Sequence, residues 1–266
     1  MPSVSLELYN ELKATSRKLM LSSQFPEFVK FGATTEQIEL IISLFNQELQ
    51  YRDDNSKKRL IKKAAFPTYK TFEGYSHNHV QLPSTLTWKD LEEANFIQDK
   101  RNLVLFGPVG TGKTHMATAI GIKACNKGLR TGFYTVTELV LKLAEARKKG
   151  TLEKMVSDLK KLDLLILDEW GYVPIDRDGS QILFRIISDS YEQKSLILTT
   201  NIEFSKWGKV FTDDQMAAAM IDRLAHHGHL VIFDGKSYRM EHSLMRQTLP
   251  SRQTTDASAQ NREFPR

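Results

Sequence analysis

The sequence holds a single cysteine, Cys125. That scarcity excludes an internal disulfide and any cysteine-built zinc cluster, and it fits a reducing compartment; a lone thiol reads as a small buried residue rather than a nucleophile. Long apolar runs are missing as well. Nowhere do about 18 apolar residues follow one another, and residues 1–20 interleave Glu, Lys and Arg with apolar positions instead of forming a signal-peptide core. The expectation is a soluble, cytoplasmic protein with no membrane contact. Strong overall charge is absent too, the formal net charge being +5, but its distribution is uneven. Between Arg52 and Lys70 stand seven bases (Arg52, Lys57, Lys58, Arg59, Lys62, Lys63, Lys70) and two acids (Asp53, Asp54), while the remaining chain is balanced. Such a basic stripe attracts a phosphate backbone, although solvated helix faces also carry runs of this kind.

What is present is apolar material, 41% of 266 residues, enough for one α/β core of about 150–200 residues with a small appendage. Leu6, Leu8, Leu12, Leu19 and Met20, set among strong helix formers, predict a first helix with Ser3 or Ser5 as cap and Pro26 as its end. After Thr34 and Thr35, Ile38, Ile41, Ile42, Phe45 and Leu49 recur at helical spacing. That second helix can run through the basic stretch to Leu60 and Ile61 and stop before Pro67. Residues 1–66 thus read as a helical N-terminal unit. Residues 67–87, with Gly74, Pro83, His77, Asn78 and His79, read as a linker carrying one ordered aromatic patch of Tyr69, Phe72 and Tyr75. From about Trp88 onward, apolar runs at 102–106, 131–136, 164–167, 196–200 and 230–233 alternate with helical stretches. This is the pattern of buried parallel strands joined by crossover helices, and it assigns 88–247 to an α/β domain. Residues 248–266 are polar and are expected to be disordered.

Gly107-Pro108-Val109-Gly110-Thr111-Gly112-Lys113-Thr114 fits G-x-x-x-x-G-K-[ST] at every fixed position, between a predicted strand and a helical stretch at 116–125. The glycines let backbone N–H groups curl around phosphates at a helix N-terminus; Lys113 reaches the β and γ oxygens and the Thr114 hydroxyl binds Mg2+. With His115 these residues form the expected ATP site. Leu164-Leu165-Ile166-Leu167-Asp168-Glu169, whose Asp168 follows Lys113 by 55 residues, is a buried strand ending in two carboxylates. Asp168 would hold magnesium directly or through its second shell, and Glu169 would polarise the attacking water. Leu196-Ile197-Leu198-Thr199-Thr200-Asn201 delivers Asn201 beside them, either as a sensor of the γ-phosphate and its water or as a plain cap after a strand. Arg223 and Arg239 are of the type that forks across phosphate oxygens, although surface ion pairs are the commoner role of arginines. His226, His227 and His229 cluster, but no acidic or cysteine partner with ligand spacing follows them.

Together these motifs resemble the initiator branch of AAA+ ATPases. The runs Asp168-Glu169-Trp170-Gly171-Tyr172-Val173-Pro174, Leu196-Ile197-Leu198-Thr199-Thr200-Asn201, Ile221-Asp222-Arg223-Leu224 and Ser237-Tyr238-Arg239 are similar to IstB-type ATPases of insertion sequences, themselves similar to the DnaC helicase loader. The resemblance covers residues 69–245. It implies an α/β fold: an AAA+ P-loop NTPase core with a parallel central sheet, preceded by a small all-helical N-terminal domain, residues 1–66, that serves DNA binding and assembly. It implies Asn201 as first sensor, Arg223 as an arginine finger acting on the next protomer's nucleotide, and Arg239 as a sensor within its own subunit. It implies ATP-dependent homo-oligomers (ring, spiral or filament) on double-stranded DNA, and a cognate transposase as partner. Helices inserted after the second core strand, at 138–161, would bring Arg147, Lys148 and Lys149 toward DNA, beside Lys57, Lys58, Arg59, Lys62 and Lys63 of the basic stripe; solvated helix surface is the plain alternative. Trp170 stands where the family often has a small aliphatic residue. A DnaC-like replicative helicase loader shares the whole core and differs in partner. A small-molecule P-loop kinase would need an arginine-rich lid, in place of which the chain has Asp222-Arg223.

Overall fold

In the computed structural model, residues 5–172, 175–211 and 213–241 are described. Ser3, the Val173-Pro174 end of the acidic run and the tail at 248–266 lie outside them. Helix α1 (Leu6–Lys18) is capped by Ser5, whose hydroxyl accepts from the Leu8 N–H at 3.2 Å. Pro26 does not end this helix. α1 stops at Lys18, and Pro26 sits in the first turn of α2 (Phe25–Gly32), where the missing N–H has no intrahelical partner to lose. α3 (Thr35–Ala64) opens on a reciprocal cap between Thr34 and Gln37 and closes on Ala65 in the left-handed region, two residues before Pro67. Its 30 residues form one continuous rod of about 45 Å. The first half packs Ile38 and Ile42 against Leu12, with Phe25 and Phe45 rings 5.6 Å apart beside them. At the far end Ala64 is buried, and beyond it Phe66 meets Phe133 of the main core at 6.0 Å.

The sheet follows: β1 (Val80–Gln81), α4 (Trp88–Glu92), β2 (Asn102–Phe106), α5 (Lys113–Asn126), β3 (Thr131–Thr135), α6 (Val136–Lys148), α7 (Leu152–Lys160) and β4 (Leu164–Trp170). After these come α8 (Arg177–Ser190), β5 (Ser195–Thr200), α9 (Trp207–Phe211), α10 (Asp214–His226), β6 (Gly228–Phe233) and α11 (Tyr238–Glu241). Strand order is β1-β6-β2-β5-β4-β3, parallel throughout except for β1, which pairs antiparallel with β6. Residues 67–87 therefore supply an edge strand, and Phe72, Tyr75, Val80, Leu82 and Leu86 pack onto the core there.

Alternation along the apolar runs divides them between two cores, because successive strand side chains face opposite ways. Leu164 and Ile166 join Leu103, Leu105 and Ile120 of α5 on one face. Leu165 and Leu167 join Leu196, Leu198 and helices α6, α7, α8 and α10 on the other. Both faces are covered, which is why the strands read as continuous apolar runs rather than alternating ones.

Trp170 is fully buried, with Trp207 and Phe211 each 5.1 Å away, ring centre to ring centre. Trp170→Ala is expected to cost about 3–5 kcal/mol in urea unfolding, the range for emptying a large aromatic site. Trp170→Phe removes an indole N–H that has no hydrogen-bond partner among the described residues and is expected to cost less than about 1.5 kcal/mol.

Candidate nucleotide site

The loop at 107–112 leaves the carboxyl end of β2, the strand flanked by β5 and β6. Two of its glycines are required by contact. At Gly107 a Cβ would lie 2.2 Å from the Phe233 carbonyl, and at Gly110, φ +83°, it would lie 2.1 Å from the Ser237 hydroxyl. Any side chain would push β6 or the segment before α11 off the loop. The loop delivers the first turn of α5 without a side-chain cap and without an acidic residue. Its N–H groups and the positive end of the helix dipole are thus left for an anion.

Lys113 is 6% exposed, and its ammonium donates to the carbonyls of Gly107 at 2.7 Å and Pro108 at 2.6 Å. Burial pushes it down to about 8, the Asp168 charge opposes this and the Arg239 charge adds to it. A phosphate arriving in the loop would offer this ammonium a charged partner in place of two carbonyls.

The Thr114 hydroxyl donates to both Asp168 oxygens, at 3.0 and 3.1 Å, and the Thr199 hydroxyl also donates to Asp168. The same Thr199 oxygen accepts from the Glu169 N–H at 3.0 Å. This contact depends on an irregularity in β4. Leu167 pairs with Leu198 and Trp170 with Thr200, so Asp168 and Glu169 together oppose Thr199 alone. The extra residue is a β-bulge, and Glu169 adopts φ +60°, unusual for a non-glycine residue. Buried Asp168 and exposed Glu169 follow from that break in the pleat. Thr199 is the residue that sequence reasoning passed over. Its signal was there: a hydroxyl in a fully buried strand must find a partner.

Asn201 is exposed just beyond β5 and makes no side-chain hydrogen bond among the described residues. Backbone pairing still holds it near the loop, since the Gly107 N–H donates to the Thr200 carbonyl at 3.1 Å. Arg239 lies in α11, whose Tyr238 N–H donates to the Gly110 carbonyl at 3.0 Å, and its charge is felt by Lys113 and Tyr172. His115 turns to the Thr71 carbonyl at 2.8 Å and stands 5.0 Å from the Tyr75 ring, so residues 71–75 lie along the start of α5. The Tyr75 hydroxyl is 3.1 Å from where a Gly112 Cβ would be, and it is buried with no hydrogen-bond partner among the described residues. Val109, Thr111 and Pro108 complete the loop, Thr111 donating to the Pro108 carbonyl at 2.8 Å.

Arg223 stands apart from all of these. It lies in the last turn of α10, donating to the Ala219 carbonyl at 2.9 Å and resting on the Phe184 ring at 5.1 Å. The end of α10 meets the beginning of β2, where the Asn102 N–H donates to the His227 carbonyl at 2.7 Å. Lys113 lies beyond the end of β2, so the two side chains occupy opposite edges of one sheet.

The chain matches the sequence pattern of the family described as IstB-like ATP binding protein over residues 15–246. It is 35% identical over 223 residues to the insertion sequence IS232 ATP-binding protein of Bacillus thuringiensis subsp. berliner, covering 83% of this chain and 89% of that protein. It is 34% identical over 203 residues to the insertion sequence IS21 ATP-binding protein of Pseudomonas aeruginosa, covering 76% of this chain and 77% of the other. Among solved structures, the AMPPCP-bound DnaA of Aquifex aeolicus aligns with TM-score 0.52 and 26% identity, over 66% of this chain and 53% of that one. The DnaC helicase loader aligns with TM-score 0.51 and 19% identity, over 62% and 96%. The fold is that of an AAA+ P-loop domain.

The lowered Lys113 pKa has a sign that can be measured. Below about pH 8 the free site carries the ammonium; above it the site carries a neutral amine that must take up a proton to meet a triphosphate. ATP affinity is expected to be flat below pH 8 and to fall as pH rises through it. Calorimetry near pH 9 in buffers of different ionisation heat should show proton uptake on ATP binding that disappears near pH 6.5, where the ammonium is already formed.

Proposed function

Because the chain belongs to the IstB-like ATP-binding protein family, we propose that it is a magnesium-dependent ATPase that assembles on duplex DNA and assists the transposase of an insertion sequence. The observation that carries the reading is the division of the site: loop, acids and Arg239 gather at one edge of the sheet, and Arg223 stands at the other. An arginine at Arg223's position serves a neighbouring copy's nucleotide, as the family resemblance implies.

Thr114 and Asp168 offer a hydroxyl and a carboxylate oxygen already in contact, the hard-oxygen donor set that magnesium takes; bound there, the ion would neutralise charge on the β- and γ-phosphates. Lys113 exchanges the carbonyls of Gly107 and Pro108 for phosphate oxygens. Glu169 accepts the proton of the attacking water, held at its angle by the bulge and by Thr199. Asn201 orients that water. Arg239 bears on the nucleotide of its own subunit, and Arg223 of the adjacent copy spreads the charge on the transferring group. ATP shared between two subunits holds them together, and its cleavage loosens the contact.

DNA contact is assigned first to α3. Lys58, Lys62 and Lys63 are exposed on it and form no ion pair among the described residues, whereas Lys57 pairs with Asp53. In α6 and just after it, Arg147 pairs with Asp178 at 2.7 Å and Lys149 with Glu145 at 2.6 Å, whereas Lys148 forms no ion pair among the described residues. The insertion-sequence names of the closely matching relatives favour transposition over helicase loading, since the likeness to DnaC carries fold alone.

Two experiments test the reading. Arg223→Ala is expected to bind ATP normally yet lose about 10³-fold or more in turnover, the scale of an arginine finger, and Lys113→Ala to lose ATP binding and ATP-dependent DNA association. Mixing the two inactive variants should restore part of the ATPase; no recovery, or an active Arg223→Ala enzyme, defeats the shared site. Binding to duplex DNA should weaken steeply with salt, and the triple change of Lys58, Lys62 and Lys63 to Ala should flatten the log–log slope by about 2–3. A flat salt response of the unaltered protein would contradict backbone binding.

A further inference from the structure

The histidines near the end of α10 lacked an acidic partner in the linear sequence, and the fold supplies one. The turn between α8 and β5 brings Glu192 against His226 and His227, so that one ligand atom from each of the three lies within 4.8 Å of the other two. His227 Nε2 is 2.8 Å from a Glu192 oxygen. His226 Nδ1 is 2.8 Å from the Tyr191 hydroxyl, and the two imidazoles stand edge to face at 4.5 Å. His229 is not part of the group; it is buried, and its Nδ1 lies 3.1 Å from the Thr85 hydroxyl.

We propose that Glu192, His226 and His227 bind one divalent transition metal of the zinc type. Two imidazole nitrogens and a carboxylate oxygen are a mixed borderline donor set that suits zinc, with a fourth, outward position open to water because the site is at the surface. Several features beyond the ligands fit a cation. The group closes the C-terminal end of a 13-residue helix, where the dipole is negative. The Tyr191 hydroxyl at His226 Nδ1 is the kind of outer partner that fixes the tautomer of an imidazole ligating through its other nitrogen. Asp222 adds negative charge close by, against the positive charge of Arg223, both being felt at Tyr191. An ordinary ion pair between His227 and Glu192 would account for one of these contacts but not for the convergence of His226 and Tyr191 on the same point.

A metal here would clamp the turn before β5 to the last turn of α10, the turn that carries Arg223. The site is at the sheet edge away from Lys113, so it differs from the magnesium position and does not rest on the nucleotide reading.

The test uses the full chain, stripped with a chelator and titrated with Zn2+ alone against a chromophoric competitor. One equivalent per chain is expected to be held, with affinity falling at least about tenfold in each of Glu192→Gln, His226→Ala and His227→Ala. His79→Ala, which alters a separate histidine beside Asp234, sets the background and should leave the stoichiometry unchanged. X-ray absorption of the zinc-loaded unaltered protein should report imidazole and oxygen ligands without sulfur, a readout that needs no variant to fold. Absence of stoichiometric zinc, zinc affinity unchanged in all three variants, or a spectrum without imidazole scattering would each overturn the proposal.

Discussion

The carboxylate of Asp168 accepts hydrogen bonds from two hydroxyls that arrive on different elements, Thr114 from the first turn of α5 and Thr199 from the middle of the sheet. An ionised group this deeply placed is costly to keep unless it is paired or hydrogen-bonded. Here the satisfying donors tie together the parts of the site that must be kept in register: the helix whose first turn is left open to an anion, the strand that carries the acids and the strand that ends just before Asn201. Removing the carboxylate would leave the buried Thr199 hydroxyl without its acceptor and free the Thr114 hydroxyl from the strand, so the chemistry and the local packing stand or fall together.

The bulge in β4 follows from the same requirement. A regular strand would send Asp168 and Glu169 to opposite faces, one into each core. Opposing both to Thr199 lets Asp168 stay inside while Glu169 remains in contact with solvent. The left-handed backbone at Glu169 costs on the order of 1–3 kcal/mol. Thr199 offsets part of that by accepting the Glu169 N–H, and the chain immediately buries Trp170 among Trp207 and Phe211, which holds the distorted turn from its far side. A bulky aromatic at Trp170 is therefore a support for the acidic pair, and its size explains why α9 is packed so closely against that end of β4.

Much of this was legible in the residues because the loop motif dictates its own surroundings: a phosphate cradle with Lys113 and Thr114 needs a strand before it and a helix after it. The five apolar runs of the core named five strands for the same reason, since a two-sided core leaves few polar positions in them. Three things were hidden. Pro26 reads as a stop in the sequence because proline cannot continue a helix, yet it is equally suited to a first turn, and only the turn at 19–24 distinguishes the two. Strand β1 is two residues long and has no periodicity to detect; its pairing with β6 is a property of the fold. Thr199 and Glu192 matter through partners 31 and 34–35 residues away, a separation at which local pattern carries no information.

The separation of Arg223 from Lys113 leads to the strongest constraint on how the protein works. The five residues of β2 span about 16 Å at roughly 3.3 Å each, and α10 runs back along that length to return Arg223 to the starting edge. No side-chain rotation brings an arginine across such a distance without dismantling α10 or the sheet. On the proposed function, a single chain holds a nucleotide cradle lacking one positive group and, at its other edge, an arginine to be lent to a neighbour. Head-to-tail stacking of copies would join these two surfaces, and because the joining surfaces differ the contact would be heterologous: it would close into a ring at one rotation and continue as a spiral at any other. On the proposed function, cohesion between copies then depends on the same terminal phosphate that hydrolysis removes, so the lifetime of the assembly on DNA is set by how fast Glu169 and Arg223 act together.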